Sequence, residues 1–239
     1  MSEADYRLYG APGWGSVLTE AMLVQCGVPF VFEDVEGFDA PGEARQRLLA
    51  LNPLGQIPTL VLPDGTVMTE SAAIALLLAE RHPDAGLAPP PDAPERPAFL
   101  RLLVWLVANV YPTFTYGDYP ERWVMEAPET LGAAMVEQRK TLWLWLESQL
   151  GDGPWVLGER FSALDLYVGR WCTGGPAAPG SRNIARSCRA WRGGCRPCRT
   201  WHRSGAGTSR RRPEAGSTEF IQHGGGRWAA PVQQSALVT

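Results

Sequence analysis

Three short stretches of this 239-residue chain hold side chains whose types and spacing could do chemistry. In Tyr9-Gly10-Ala11-Pro12-Gly13-Trp14-Gly15-Ser16, the Ser16 hydroxyl stands where a helix begins. The dipole and free N–H groups of such an end favour an anion. In Gln56-Ile57-Pro58, a cis bond at Pro58 would turn the chain so that Ile57 offers its N–H and C=O to an extended peptide. Glu70-Ser71 opens another helix, where free N–H groups and the Ser71 hydroxyl suit a carboxylate and Glu70 suits an ammonium. Each residue also has a purely structural reading: Ser16 and Ser71 as helix caps, Glu70 as a first-turn charge, Pro58 as the end of a loop.

Recognisable elements must position these stretches. Tyr6-Arg7-Leu8-Tyr9 alternates like a strand, and a helix runs from Ser16 until Gly27 stops it. A second strand at 29–35 completes a βαβ unit, so the two strands should pair in parallel. A short helix at Glu43 to Leu51 follows. Asp64-Gly65 then separates the β-rich runs 59–62 and 66–68, a hairpin signal. An apolar helix spans Ser71 to Arg81. The order β-α-β-α-β-β-α is that of a thioredoxin-like domain, residues 1–82. Six prolines within 83–97 mark an extended linker. An all-α domain, incomplete, occupies 98–168. It has helices at Ala98 to Tyr111 and at about 129–150, with Leu142, Trp145, Leu146 and Gln149 on one stripe. A third helix opens at the capping box Ser162…Asp165, with Phe161 and Leu166 placed as its hydrophobic staple. His82 reads as a surface residue and Cys26 as a buried apolar one.

A thioredoxin-like domain, a proline linker and an all-helical domain together resemble the glutathione transferase family over residues 6–168. Its specific carriers are Gln56-Ile57-Pro58, Glu70-Ser71 and the Ser162…Asp165 box, within LNPLGQIPTLVLPDGTVMTESAAI and the helix start. The resemblance implies conjugation of glutathione to a hydrophobic electrophile, in a cytoplasmic homodimer serving detoxification. Glutathione would lie along Ile57 and Pro58, with its γ-glutamyl end at Glu70 and Ser71 and Gln56 beside it. Family members lower the thiol pKa with a hydrogen bond from Tyr, Ser or Cys near the first helix. Aligned on Pro12-Gly13, the position that carries cysteine in many bacterial members is Gly15, which has no side chain to donate. Ser16 is the expected donor and Tyr9 the next choice. Trp14, Tyr111 and Phe114 are the expected contacts of the second substrate, among aromatics (Tyr116, Tyr119 and Trp123 as well) that could equally be helix packing. A glutathione-dependent isomerase or peroxidase, or a binding module without chemistry, would share the same first domain.

Composition divides the chain sharply. Residues 1–168 carry 10 Lys and Arg against 23 Asp and Glu, whereas 169–239 carry 12 Arg, no Lys and 2 acids. The second segment holds four of the five cysteines but only six Leu, Ile, Val and Phe, too few for a core, so disorder is expected. Cys188, Cys195, Cys198 and His202 have something like zinc-site spacing, and Arg210-Arg211-Arg212 is a basic patch. A lone CxxC without a second clean pair is a weak signal, so neither a metal nor a nucleic-acid partner is expected. A frame-shifted helical domain explains more. Cys and Trp codons both begin TG, and shifted by one base they give NTG, which encodes only Leu, Met or Val. Cys188, Trp191, Cys195 and Cys198 would then become an aliphatic helical stripe. No run of 18 apolar residues spans a membrane, and the acidic N-terminus does not read as a signal peptide.

Overall fold

The computed structural model describes residues 5–173. The expectations placed on Cys188, Cys195, Cys198, His202 and Arg210–Arg212, with those of tail disorder and of a shifted frame, lie outside the described residues.

The first half follows the sequence pattern closely. Strand β1 (Tyr6–Gly10) is followed by helix α1 (Ser16–Cys26), strand β2 (Phe30–Asp34), helix α2 (Glu43–Leu49), strands β3 (Thr59–Val61) and β4 (Val67–Met68), and helix α3 (Ser71–Arg81). The sheet order is β2-β1-β3-β4. β1 and β2 run parallel with Leu8 opposite Phe32, while β3 runs antiparallel to both β1 and β4. Gly27, at φ 69°, ends α1 in the left-handed region that a β-carbon disfavours. At Asp64-Gly65 the hairpin closes with the Leu62 N–H donating to the Thr66 carbonyl at 2.8 Å. Leu8, Leu18, Met22, Leu60, Ile74 and Leu78 form the core between the sheet and helices α1 and α3.

The proline-rich stretch is not extended as expected: Pro83–Ala85 form a 3-10 turn, further turns close at 90–96, and the next helix already starts at Arg96, because proline fits turns and the first helical positions. Leu87 is buried, and its carbonyl accepts the Ala163 N–H at 2.8 Å, pinning the linker to a distant helix start. His82 is half-buried rather than a surface residue, because its Nε2 lies 3.2 Å from the Tyr6 hydroxyl. Cys26 is half-buried and packs against the core, where burial pushes its thiol up to about 11.

In the helical half, α4 (Arg96–Trp105) passes into a π turn at Leu106–Val110 and continues as α5 (Tyr111–Asp118). The expected helix ends at Tyr111, and the next residue, Pro112, is of a type that breaks a helix's hydrogen-bond ladder. The chain instead widens one turn ahead of the proline and runs on. By length and composition the span Arg96–Asp118 could cross a membrane. Here Phe99, Leu102, Leu103, Leu106 and Val110 face a core shared with the last two helices, α6 (Pro128–Gln149) and α7 (Ala163–Thr173). On α6 the predicted stripe holds at Leu146, which is buried, and at Leu142 and Trp145, which pack on the core; Trp143 is buried as well, and Gln149 is exposed instead.

α7 extends to Thr173, five residues past the compositional break after Val168, and it starts on the expected capping box. The Asp165 carboxylate accepts the Ser162 N–H at 2.8 Å, and the Leu164 N–H lies 3.3 Å from Ser162 Oγ. The other carboxylate oxygen accepts the Val156 N–H at 2.8 Å, tying the preceding loop to the helix. Phe161 meets Trp155 edge to face, with ring centroids 5.2 Å apart.

Candidate functional site

The loop between β1 and α1 is drawn tight against its own helix. A β-carbon on Gly10 would lie 2.5 Å from Ser16 Cβ and Oγ, so glycine is required for this approach. The Ser16 hydroxyl accepts the Ala11 N–H at 3.1 Å and donates to the Ala11 carbonyl at 3.2 Å, and Ser16 is 0% exposed. Its proton is committed and no ligand reaches it. Nor is Ser16 the cap, since Gly15 holds that position and Ser16 is the first helical residue. Both expectations for Ser16 give way to loop closure. Ser16→Ala is expected to destabilise the fold by about 1–3 kcal/mol, because it orphans the buried Ala11 N–H. Urea unfolding measures that loss, while turnover per folded molecule should stay unchanged.

Tyr9 points to the face of the sheet away from the main core. Together with Trp14 and Ile57 it packs on the small cluster of Ala11, Val35, Phe38 and Leu48. Trp14 meets Phe38 edge-on at 5.1 Å and stacks on Tyr119 at 5.6 Å, with planes 7° apart. The Arg122 guanidinium covers the other ring of that stack, 4.4 Å from the Tyr119 centroid, and pairs with Asp39 at 2.8 Å. Trp14 therefore bridges the two halves of the molecule.

The Ile57–Pro58 peptide bond is cis and leads directly into β3. Buried Asn52 holds the approach. Its Nδ2 donates to the Gln56 carbonyl at 3.0 Å and to Thr59 Oγ1 at 3.2 Å, while its Oδ1 accepts the Leu54 N–H at 3.1 Å. The Gln56 carbonyl also accepts the Thr59 hydroxyl at 2.9 Å, and the Gln56 side chain is exposed. Among the described residues, no backbone partner takes the Ile57 N–H or C=O. Sequence alone does not single out Asn52, since an amide beside Pro53 after a short helix signals no more than a helix end.

Glu70 is exposed and stands at φ 61°, the one non-glycine among the described residues with positive φ. It is the residue before α3, and Ser71 is the first helical residue. Ser71 is 8% exposed, and its Oγ accepts the Tyr167 hydroxyl at 2.7 Å. That bond leaves the serine's own proton available for an anion. Burial raises the Tyr167 pKa, so the phenol stays protonated. Nothing in the sequence pattern marked Tyr167, which reads as one more core residue of an apolar helix.

Tyr111 and Phe114 converge on Trp171, a residue placed beyond the compositional break and missed for that reason. Tyr111 meets Trp171 edge-on at 5.6 Å, and Phe114 stacks on it at 5.5 Å. The Arg139 guanidinium lies 3.7 Å from the Phe114 centroid, and its Nη2 donates to the Thr113 carbonyl at 2.6 Å. Phe114 thus packs between helices, whereas the Tyr111 hydroxyl reaches the other half of the molecule: a β-carbon on Gly15 would collide with it. The same point lies 3.9 Å from the Ile57 carbonyl. Arg170 Nη2 donates to the Gly13 carbonyl at 2.6 Å and adds a positive charge beside Tyr111. The structure therefore gathers Gly15, Ile57 and Tyr111 at one point and joins Ser71 to Tyr167 at another, with Glu70 close enough to both tyrosines to act on their charge. The Ser16 hydroxyl is turned inward, while Tyr9 and Trp14 pack with Ile57 on the small cluster.

Comparison with known proteins identifies the family to which this fold belongs. Residues 19–81 match the family model "Glutathione S-transferase, N-terminal domain". The chain is 52% identical over 170 residues to the uncharacterized GST-like protein YncG of Escherichia coli K12, covering 71% of this chain and 82% of that one. It is 29% identical over 162 residues to glutathione S-transferase GstA of Escherichia coli O157:H7, covering 68% and 78% of the two chains. A glutathione transferase homolog from Sulfitobacter, solved with bound glutathione, superposes with a TM-score of 0.73 at 24% identity, over 84% of this chain and 99% of its own. With the cis bond at Pro58, the Glu70-Ser71 helix start and the capping box in place, this chain belongs to the glutathione transferase family.

Proposed function

We propose that the protein conjugates the thiolate of glutathione to a hydrophobic electrophile. The observation that carries this reading is the helix start at α3, where exposed Glu70 is held at φ 61° beside a Ser71 hydroxyl anchored by Tyr167. A non-glycine residue in that conformation costs about 1–3 kcal/mol and persists at ligand-binding positions where its surroundings demand it. The γ-glutamyl carboxylate would receive the Ser71 proton and the free N–H groups of α3, and the ammonium would face Glu70. The cysteinyl backbone would pair with the N–H and C=O of Ile57. From there the sulfur would attack an electrophilic carbon, forming the C–S bond as a leaving group departs or a double bond is saturated. A homodimer, the cytoplasm as its place of action and detoxification as its service belong to the same proposal, on family grounds.

Turnover tests it. The full chain, given glutathione with aryl halides, unsaturated diacids and hydroperoxides in parallel, should form a thioether with the first group. Isomerised diacid or reduced hydroperoxide in the absence of thioether would reassign the reaction. Glutathione binding without any turnover would make the chain a binding module.

A further inference from the structure

The proposed reaction needs a group that holds the glutathione sulfur as thiolate, and the loop where such a group is expected offers the backbone N–H groups of the α1 start but no side-chain hydroxyl or thiol turned toward it. Gly15 has no side chain, both partners of the Ser16 hydroxyl are backbone atoms of Ala11, and Tyr9 packs in the cluster of Val35, Phe38 and Leu48. Resting on the function proposed above, we propose that Tyr111, from the helical half, is the hydrogen-bond donor to the glutathione thiolate. On this assignment Tyr111 is a catalytic residue rather than a wall of the second-substrate pocket.

Position is the first support. The Tyr111 hydroxyl stands where a Gly15 β-carbon would project, and that point is 3.9 Å from the Ile57 carbonyl. A cysteinyl residue paired with Ile57 carries its sulfur only one carbon from its own backbone. The hydroxyl and the sulfur therefore share the same few ångströms of space. Gly15 and Tyr111 are complementary: the absence of one side chain is what admits the other.

Rigidity is the second. Tyr111 opens α5 directly after the π turn Leu106–Val110 and just before Pro112. π turns rotate the following residues relative to a regular helix and recur at functional positions. The ring is fixed from behind by Trp171, edge to face. A preorganised donor of this kind stabilises developing charge without moving at the moment of reaction.

The proton inventory is consistent. Burial raises the Tyr111 pKa above the usual phenol value, the Arg170 cation on α7 lowers it, and Glu70 ahead of α3 raises it. The phenol remains O–H at neutral pH and donates without ionising. In the balanced step the thiol proton leaves to solvent, Tyr111 keeps its own proton, and the Arg170 cation beside it favours the anion that remains.

The decisive comparison is Tyr111→Phe, which keeps the ring and its contact with Trp171. The wild-type chain should bind glutathione and lower its thiol pKa by about one unit or more, read from thiolate absorbance across a pH series. In Tyr111→Phe, affinity should change by less than about threefold, while the thiol pKa returns toward its free value and kcat/KM at neutral pH falls about ten- to a hundredfold. An unchanged thiol pKa in Tyr111→Phe overturns the assignment. Gly15→Ser is a second check: alone it should lower Tm by displacing the tyrosine, and combined with Tyr111→Ala most of that loss should vanish. Equal losses in both backgrounds would overturn the placement of the hydroxyl. A wild-type chain that fails to bind glutathione defeats the function proposed above, whereas binding with an unshifted thiol defeats only the role of Tyr111.

Discussion

Asp165→Ala is expected to destabilise the fold by about 3–5 kcal/mol, enough to unfold most domains of ordinary stability. Asp165 is 1% exposed, and its two carboxylate oxygens accept buried N–H groups of Val156 and Ser162, each at 2.8 Å. Alanine leaves both buried donors without their acceptor. It also frees the loop that carries Val156, and α7 then loses its start. Asp165→Asn keeps one acceptor and should cost about half as much. Urea unfolding at constant m-value separates the three proteins, and equal midpoints would remove the capping box from the account.

The same carboxyl makes stability depend on pH. Burial pushes its pKa up to about 7, against the pull of the N–H bonds from Val156 and Ser162. The folded chain therefore binds a proton that the unfolded chain has lost between about pH 4 and pH 7. Stability is greatest at the acidic end of this window and falls as pH rises through it, by up to about 4 kcal/mol, then levels off. Half-buried Glu20, also raised by desolvation, adds a slope of the same sign. A Tm series from pH 4 to pH 8 should fall steadily for the wild type, and more shallowly for Asp165→Asn, which keeps Glu20 of these two groups.

Glu70→Ala is expected to weaken glutathione binding about ten- to a hundredfold, the worth of one charge-assisted hydrogen bond. Glu70→Gly should weaken it equally while stabilising the protein by about 1 kcal/mol, because glycine adopts φ 61° without cost. Opposite signs on stability and affinity are the mark of a residue strained for its ligand. If the glycine variant is no more stable than the alanine variant, the conformation is not strained. If either binds like the wild type, Glu70 is not part of the site.

The sequence was most legible where physics is local. Alternation in Tyr6 to Tyr9, the stop at Gly27, the Asp64-Gly65 hairpin and the Ser162…Asp165 box each involve residues within a few positions of one another, and each appears as expected. Illegible features depended on partners far along the chain. Whether Ser16 donates outward or inward depends on how tightly Gly10 lets the loop close. The Tyr167 hydroxyl finds Ser71 across 96 residues, and Tyr111 finds Gly15 across the two halves of the molecule. The helix continues past Tyr111 because a widened turn accommodates Pro112, and no local pattern announces such a turn. Trp171 was lost because composition changes abruptly after Val168, although the helix itself continues to Thr173.

In the proposed complex glutathione lies along Ile57 with its γ-glutamyl end at Glu70 and Ser71. Titration calorimetry of the wild type and of Glu70→Ala, each with glutathione and with cysteinylglycine, tests it most directly. The dipeptide keeps the cysteinyl backbone and lacks the γ-glutamyl group. The wild type should prefer glutathione at least about tenfold, and Glu70→Ala should lose most of that preference. Equal affinity of the wild type for both ligands, or a preference that survives in Glu70→Ala, would contradict it.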